Sequence, residues 1–328
     1  MKTIVARLIT DKPVKKTAYQ VKGVFMKQYP NSAAIPMLDG RYRDEFLYPR
    51  IQVKILNEQI YLVGIKDGAE PVLEMTKELE LLNFGNITFN ILDIDVEESI
   101  DQFKQVDLLL RYRFVSPWIA LSKNTQNRYK FLKNNDRTSF LNRLLGQNLV
   151  FLAREMGVEI NDKVYTKLRL DSLFPKPVYE NNWGSLSGAF QTNFVLPNYI
   201  GLGNGITRGY GAIHGSYNPQ DFKFDEETLN SNTIDNNPIN IIEDDDDLRS
   251  VIVKNVPKPR RKSKNIDSKG KSKIKKVLSE EYEIEEESVK TIKTTKPKKS
   301  PQNGENTPEA TSENNFNTID YHKKQHAV

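Results

Sequence analysis

The first hundred residues alternate between apolar runs with strand periodicity and apolar positions with helical periodicity. Strands are predicted at residues 3–9, 48–56, 59–65 and 87–96. Helices are predicted from Pro13 to about residue 29, with Ala18, Val21, Val24 and Phe25 on one face, and over residues 69–82. The resulting order, β-α-β-β-α-β, predicts a ferredoxin-like domain over residues 1–100.

Residues 101–217 show the same two kinds of pattern in longer elements. Strands are predicted at residues 108–115, 163–170 and 183–196, and helices at residues 125–132 and 139–156. Gly157 marks the end of the second of these helices. We expect a second ferredoxin-like domain here, so the predicted fold class is α+β with two tandem ferredoxin-like (βαββαβ) domains.

From residue 218 the apolar periodicity stops and blocks of like charge take its place. Acidic residues fill 243–247 and dominate 280–287, and basic residues dominate 258–264, 271–276 and 296–299. Such segments bury too little apolar surface to offset the entropy of ordering the chain. We therefore expect residues 218–328 to be a disordered charged tail, whose basic runs are a solvated linker or, alternatively, hold RNA.

Composition excludes several classes of protein. The chain has 328 residues and no cysteine, which excludes a disulfide framework and a thiolate metal site. We find no apolar run of about eighteen residues and no signal peptide, so we expect a cytoplasmic protein with no membrane contact. No metal-ligand spacing is present, and we expect neither a metal nor a cofactor.

A glycine-rich segment, residues 196–214, interrupts the second domain. Five glycines fall within eleven residues, namely Gly201, Gly203, Gly205, Gly209 and Gly211, and Arg208 adds one cation between them. Glycine turns let successive N–H groups face an anion. The alternatives are a plain surface turn and a dinucleotide loop. A dinucleotide loop opens a helix after the first strand of its unit, and this one does neither. We interpret the segment as a loop that lies against a phosphate backbone.

The pattern Leu-Pro-x-Tyr-Ile-Gly-Leu-Gly-x-x-x-x-Arg-Gly-x-Gly in this segment resembles the glycine-rich loop of the RAMP superfamily. In detail the chain resembles the CRISPR-associated endoribonuclease of the Cas six type, which cuts repeat RNA. Residues 1–10, 48–54 and the Phe114-x-Ser116-Pro117 sequence share that resemblance, which extends over most of residues 1–217. The resemblance implies metal-independent cleavage that leaves a 2′,3′-cyclic phosphate and a 5′-hydroxyl.

In relatives the proton-transfer group is often a histidine between the first helix and the second strand, and this chain departs from that pattern. Its three histidines are His214, His322 and His326. Because histidine titrates near neutral pH, its absence from residues 31–50 weakens the prediction of activity. The candidate catalytic residues that remain are Lys27, Tyr29, Arg41 and Tyr48, and the nearby candidate RNA ligands are Arg43 and Arg50.

Further cations are predicted to grip RNA from the second domain. They are Arg111, Arg113, Lys123, Lys167, Arg169 and Arg208, together with the loop glycines. We expect repeat RNA as the partner, other CRISPR-associated proteins as further candidates, and either a monomer or a homodimer. An RNA-binding relative that does not cut is the alternative to an endoribonuclease. If the loop touches RNA, Gly205→Val should weaken binding without changing the melting temperature.

Overall fold

The computed structural model describes residues 1–43, 45–100, 102–160, 162–178, 183–216 and 248–258. The side chains of Arg43, Lys123, Asn124 and Trp183 are not described. Contacts divide the chain into two units, Met1–Glu287 and Ser288–Val328, and the second unit lies outside the described residues. Most of the predicted tail, residues 218–247 and 259–328, lies outside them too.

The first half of the chain forms one five-stranded antiparallel sheet with helices on one face. Its strands are β1 (Thr3–Thr10), β2 (Ile51–Leu56), β3 (Gln59–Ile65), β4 (Leu81–Asn83) and β5 (Thr88–Ser99), in the order β2-β3-β1-β5-β4. Its helices are α1 (Ala18–Gln28), α2 (Ile35–Leu38) and α3 (Ala69–Thr76). The four principal strands have the ferredoxin-like order, as the sequence predicted.

Helix α1 begins later than the sequence indicated. Its N-terminus is set by Thr17, whose side chain accepts from the main-chain N–H of Gln20 while the Gln20 side chain accepts from the N–H of Thr17. This reciprocal capping satisfies two N–H groups that a helix leaves without partners, so it outweighs the signal from Pro13. The buried face of α1 consists of the four residues expected from helical periodicity.

The second half forms another five-stranded antiparallel sheet. Its strands are β6 (Lys104–Phe114), β7 (Lys163–Leu170), β10 (Gly188–Val195), β11 (Ile213–Gly215) and β12 (Leu248–Ile252), in the order β11-β6-β10-β7-β12. A separate hairpin consists of β8 (Lys176–Val178) and β9 (Trp183–Ser185). The helices are α4 (Lys123–Lys130) and α5 (Asn134–Met156), which ends at Gly157 in the left-handed conformation, as predicted. None of the described helices is long and apolar enough to cross a membrane.

One element of the second ferredoxin-like unit is replaced. Strands β11, β6, β10 and β7 have the ferredoxin-like order, but no helix connects β10 to β11. The glycine-rich segment occupies that connection and contains only a 3₁₀ turn at Ile206–Arg208. The loop therefore stands where the second helix of the fold would be, between the two halves of the protein.

Strand β12 corrects the predicted end of the folded part at residue 217. Leu248–Ile252 pairs with β7, and the side chain of Val251 packs directly on Gly146 of α5. Arg154 then donates from its two terminal nitrogens to the carbonyls of Val253 at 2.7 Å and Val256 at 2.8 Å. The apolar pattern of this strand is only five residues long and lies between charge blocks, which is why composition concealed it.

Candidate nucleic-acid interface

Strand β2 presents a row of polar side chains to the second domain. Ile51 and Val53 belong to the apolar core that packs on α1, whereas the alternate residues Arg50, Gln52 and Lys54 are buried on the other face. Alternation of this kind usually places the polar side chains in water. Here the second domain covers them: the glycine-rich segment lies on Gln52 and Lys54, and the C-terminal end of α5 lies on Arg50.

The polar row supplies hydrogen bonds to the main chain of the loop. The Lys54 ammonium donates to the carbonyls of Ile206 at 3.3 Å and Tyr210 at 3.1 Å. The side-chain oxygen of Gln52 accepts from the N–H of Gly201 at 2.9 Å. Burial lowers the pKa of Lys54 to about 7. The first domain thus provides the partners that these buried loop groups require.

The loop glycines approach this protein's own chain. A Cβ on Gly201 would lie 2.7 Å from Ile206 Cγ2, one on Gly203 would lie 2.6 Å from the Ile119 carbonyl oxygen, and one on Gly205 would lie 2.7 Å from the Tyr210 ring. A Cβ on Gly209 would lie 2.9 Å from the Ala18 side chain, and one on Gly211 would overlap the Leu202 carbonyl. The structure therefore argues against the predicted contact between these glycines and RNA.

Two residues predicted at the RNA site lie inside the protein. Tyr48 is 1% exposed, and its hydroxyl donates to the carbonyl of Gly201 at 2.7 Å. Burial raises the pKa of this phenol above its usual range. Arg50 is 5% exposed, stacks on Phe46 at 4.6 Å and bonds the carbonyl of Glu155 at 3.0 Å. Both side chains join the two domains, which argues against catalysis by Tyr48 and RNA contact by Arg50.

The remaining candidates between α1 and β2 do not converge. Lys27 is exposed in the last turn of α1, and the hydroxyl of Tyr29 donates to the carbonyl of Leu81 at 3.1 Å. Arg41 is exposed and pairs with Asp39 at 2.7 Å. The side chain of Arg43, a further predicted ligand, lies outside the described part.

Lys22 is a proton-transfer candidate that sequence reasoning missed. It lies on α1 and is partly buried. Burial lowers its pKa, and the charge of Asp39 partly opposes that shift. Asp39 acts on both Lys22 and Arg41, so this part of the protein holds one amine with a larger neutral fraction and one guanidinium. Only a buried position marks Lys22, and that position was not visible in the sequence.

The outer face of the second sheet carries cations in a single cross-strand row. His214 of β11 pairs with Arg113 of β6, Arg113 pairs with Ala189 of β10, and Ala189 pairs with Arg169 of β7. Adjacent strands lie about 4.8 Å apart, so Arg113 and Arg169, with β10 between them, are roughly 10 Å apart across the sheet. Arg113 and Arg169 are exposed, as expected for ligands.

This row continues onto the first domain through two tyrosines. The ring of Tyr199 lies 5.4 Å from that of His214 and 4.8 Å from that of Tyr61. Tyr61 pairs across the sheet with Arg7, which forms an ion pair with Asp95. We name Arg7, Tyr61, Tyr199, His214, Arg113 and Arg169 the cross-domain strip. The tyrosines are separated by more than a hundred residues, so sequence spacing could not bring them together.

The other predicted cations have separate positions. Arg111 is exposed on the same strand and face as Arg113. Arg208 is half-buried in the 3₁₀ turn of the loop, next to Gly209. Lys167 is only 8% exposed, which argues against a role in RNA binding. The side chain of Lys123 is not among those described.

Comparison with known proteins gives matches that cover up to two thirds of the chain. An uncharacterised protein of Methanocaldococcus jannaschii is 24% identical over 140 residues, which are 43% of this chain and 95% of that protein. A crystal structure of Cas6b is 27% identical and covers 66% of this chain and 100% of its own, with a TM-score of 0.57. A crystal structure of the CRISPR RNA processing endoribonuclease Cas6b is 24% identical with the same coverage and a TM-score of 0.49.

Two family models divide the chain between them. The Cas6b N-terminal domain matches residues 1–102, and the Cas6b C-terminal domain matches residues 104–216. These ranges include the whole of the cross-domain strip and the glycine-rich segment. The chain belongs to the Cas6b family of CRISPR repeat-processing proteins.

Proposed function

We propose that this protein is an endoribonuclease that cuts CRISPR repeat RNA without a metal ion. Its products are a 2′,3′-cyclic phosphate and a 5′-hydroxyl. The cross-domain strip is the observation that carries the proposal. Arginines in the strip can neutralise phosphates, and the half-buried ring of Tyr199, which packs against the buried Tyr61, offers a stacking surface beside them. Single-stranded RNA is bound by such a combination of cations and aromatic rings. Membership of the Cas6b family supports RNA as the ligand.

The chemistry requires one base, one acid and a cation. The 2′-oxygen attacks phosphorus as its proton passes to a base, the bond from phosphorus to the 5′-oxygen breaks, and an acid protonates that oxygen. Lys22 suits the base because burial lowers its pKa and increases its neutral fraction. Arg41 is assigned to stabilise the negatively charged, five-coordinate phosphorus of the transition state. A guanidinium stays charged and can donate to two phosphate oxygens at once.

The proton donor is assigned to Lys27. It lies five residues after Lys22 on α1, which places it about 140° further around the helix and about 7.5 Å along it. Lys27 is exposed in the last turn of α1, from which the chain continues into the segment that carries Arg41. The sequence offered a lysine, Lys27, and two tyrosines, Tyr29 and Tyr48, as proton-transfer groups. This assignment keeps Lys27 and uses Lys22 in place of the tyrosines.

A catalytically silent RNA-binding protein is the second candidate. It is favoured by the positions of the two tyrosines, since Tyr48 is buried and the Tyr29 hydroxyl is bonded to the main chain. No histidine occurs between residues 31 and 50 to replace them. Such a protein would use the same strip to hold the repeat.

The two candidates are separated by incubating the full chain with labelled repeat RNA from the neighbouring CRISPR array in EDTA. We expect one cut, blocked by a 2′-deoxy substitution at the cleaved nucleotide, and a product that phosphatase dephosphorylates only after acid opens the cyclic phosphate. A scrambled RNA of the same length is the control. Tight binding without a cut would favour the silent protein, and equal binding of both RNAs without a cut would overturn both candidates.

A further inference from the structure

A column of aromatic rings and guanidinium groups lies where α4, α5 and the loop after β7 meet. Arg137 lies 5.2 Å from the ring centre of Phe174 and 5.2 Å from that of Tyr129. The Tyr129 ring is 6.0 Å from the Phe140 ring, and Arg143 lies 5.2 Å from Phe140. We name Phe174, Arg137, Tyr129, Phe140 and Arg143 the aromatic–guanidinium column.

The inner end of the column is fixed and its outer end is open. Tyr129 and Phe140 are buried, and the Tyr129 hydroxyl donates to the carbonyl of Leu173 at 2.7 Å. Phe174 is 66% exposed, and Phe131 at the end of α4 is 89% exposed. Large aromatic side chains are seldom left this exposed on a rigid surface, because removing their apolar area from water is favourable. The outer face of Phe174 is thus a ready surface for another flat group.

The charge around the column selects the class of that group. Residues 123–143 contain six Lys and Arg against the single acid Asp136, a local charge of +5 that equals the net charge of the chain. A partner with acidic or phosphate groups and flat rings would match both features. Unpaired RNA bases provide the rings, and their phosphates provide the negative charge.

The column is separate from the cross-domain strip. Helix α5 packs on the inner face of the second sheet, where Thr166 donates to the carbonyl of Asn142 at 3.2 Å. Arg113 and Arg169 stand on the outer face of that sheet. The column therefore lies on the far side of the sheet from the strip.

We infer that the aromatic–guanidinium column is a second RNA-binding site, at which unpaired bases stack on Phe174 and Phe131. It holds single-stranded nucleotides that flank the segment on the strip, without regard to sequence. The inference rests on the proposed function in taking RNA as the ligand. It predicts that the protein binds a single strand with no repeat sequence.

The test uses the full chain and an eight-nucleotide oligouridylate, with an abasic ribose-phosphate oligomer of the same length for comparison. Phe174→Trp places an indole at the open end, where base stacking should quench its emission. The chain's own Trp118 and Trp183 supply a background, which is measured in the unsubstituted protein with the same oligomers and subtracted. We expect quenching by oligouridylate and none by the abasic oligomer. Absence of quenching by oligouridylate would overturn the inference and leave the exposed rings to a protein partner.

Affinity measurements complete the test. Phe174→Leu and Phe131→Leu keep apolar surface but cannot stack, so each should weaken oligouridylate binding by roughly 5- to 150-fold. Leu92→Ala is the matched control, because Leu92 is 67% exposed on β5. Unchanged affinity in both leucine variants would overturn the inference even if the protein cuts its repeat. A further outcome is that the protein binds oligouridylate, and loses that affinity in the leucine variants, while it neither binds nor cuts the repeat. That result would support the inference and overturn the proposed function.

Discussion

The side-chain nitrogen of Lys54 and the carbonyl oxygen of Tyr210 lie 3.1 Å apart, although 156 residues separate them in the chain. This hydrogen bond joins the second strand of one ferredoxin-like unit to the glycine-rich segment of the other. A buried amine with a lowered pKa therefore lies in the junction between the domains.

Stability should rise with pH because of Lys54. In the unfolded chain a lysine stays charged up to about pH 10.4, whereas in the folded protein Lys54 loses its proton near pH 7. Between these values the unfolded chain binds more protons, so the free energy of unfolding should increase by about 1.4 kcal/mol per pH unit from this group. Denaturant unfolding between pH 7 and 9.5 measures the slope. Lys54→Met should remove this increment, and Lys176→Met on β8 should retain it. Equal slopes in all three proteins would contradict the assignment.

A side chain at Gly211 should destabilise the fold and not act through RNA. The residue has φ +68°, and a Cβ would overlap the Leu202 carbonyl. Gly85 is the matched control, because it has φ +90° but open space around its Cβ position. Gly85→Ala should cost only the conformational strain of about 1–2 kcal/mol, and Gly211→Ala should cost about 1–3 kcal/mol more from overpacking. Thermal unfolding compares the two, and equal losses would show that the loop is not packed as described.

Removing the strip arginines should weaken repeat binding in a salt-dependent manner. For each phosphate of a single strand that the variant no longer neutralises, the slope of log K against log salt should fall in magnitude by about 0.7. The variant that combines Arg113→Ala with Arg169→Ala should therefore bind less tightly and with a shallower slope. Arg249→Ala is the control, since that arginine reaches Ser139 on the α5 side of the same sheet. A shallower slope for the control alone would show that the RNA lies on the opposite face.

Lys22 should control the pH dependence of cleavage. If its neutral amine accepts the 2′-proton, the single-turnover rate should rise with pH until the lysine is deprotonated, and Lys22→Met should lose that rise together with about 10²-fold or more in rate. Tyr48→Phe is a useful contrast. It should leave the rate of folded protein unchanged and lower stability by about 1–3 kcal/mol, because the Gly201 carbonyl loses its donor. A large rate loss in Tyr48→Phe with unaltered melting would restore the tyrosine to the site.

Strand β12 should be needed for full stability. A fragment that ends at residue 258 keeps the packing of Val251 on Gly146 and both carbonyls bonded by Arg154. A fragment that ends at residue 217 lacks these interactions and should melt at a lower temperature. Val251→Asp in the full chain tests the same packing without truncation, because it places a charge on the apolar face of α5. Identical melting of the two fragments would restore the shorter boundary.

Sequence periodicity predicted what depends on neighbours along the chain. The strands β1, β3 and β7 and the buried face of α1 follow from spacings of two and of three to four residues, and the structure confirms them. The order of these elements was enough to predict two ferredoxin-like units. Helix α3 is shorter than predicted, since Leu81–Asn83 pairs with β5 as a strand, and pairing with a distant strand leaves little local signal.

The candidate site depended on distant neighbours and was predicted less well. Arg50 and Lys54 alternate along β2 as exposed cations would, and only the other domain makes them interior, through α5 at Arg50 and through the glycine-rich segment at Lys54. The glycines of that loop indicate that its backbone lies close to another group, but they do not identify that group. The sequence therefore led us to predict RNA, whereas the group is the protein's own chain. The sequence did not place His214 among the candidate residues, because Tyr199 and Arg113 come beside it only in the fold.

The glycine-rich segment also has a consequence for the order of events during synthesis. The polar row on β2 emerges from the ribosome about 150 residues before the main-chain groups that cover it, which at ordinary elongation rates is on the order of ten seconds. During that interval Lys54 faces water and keeps its ordinary charge. Closing the loop over it therefore releases a proton above pH 7, so closure should be more favourable in mildly alkaline medium.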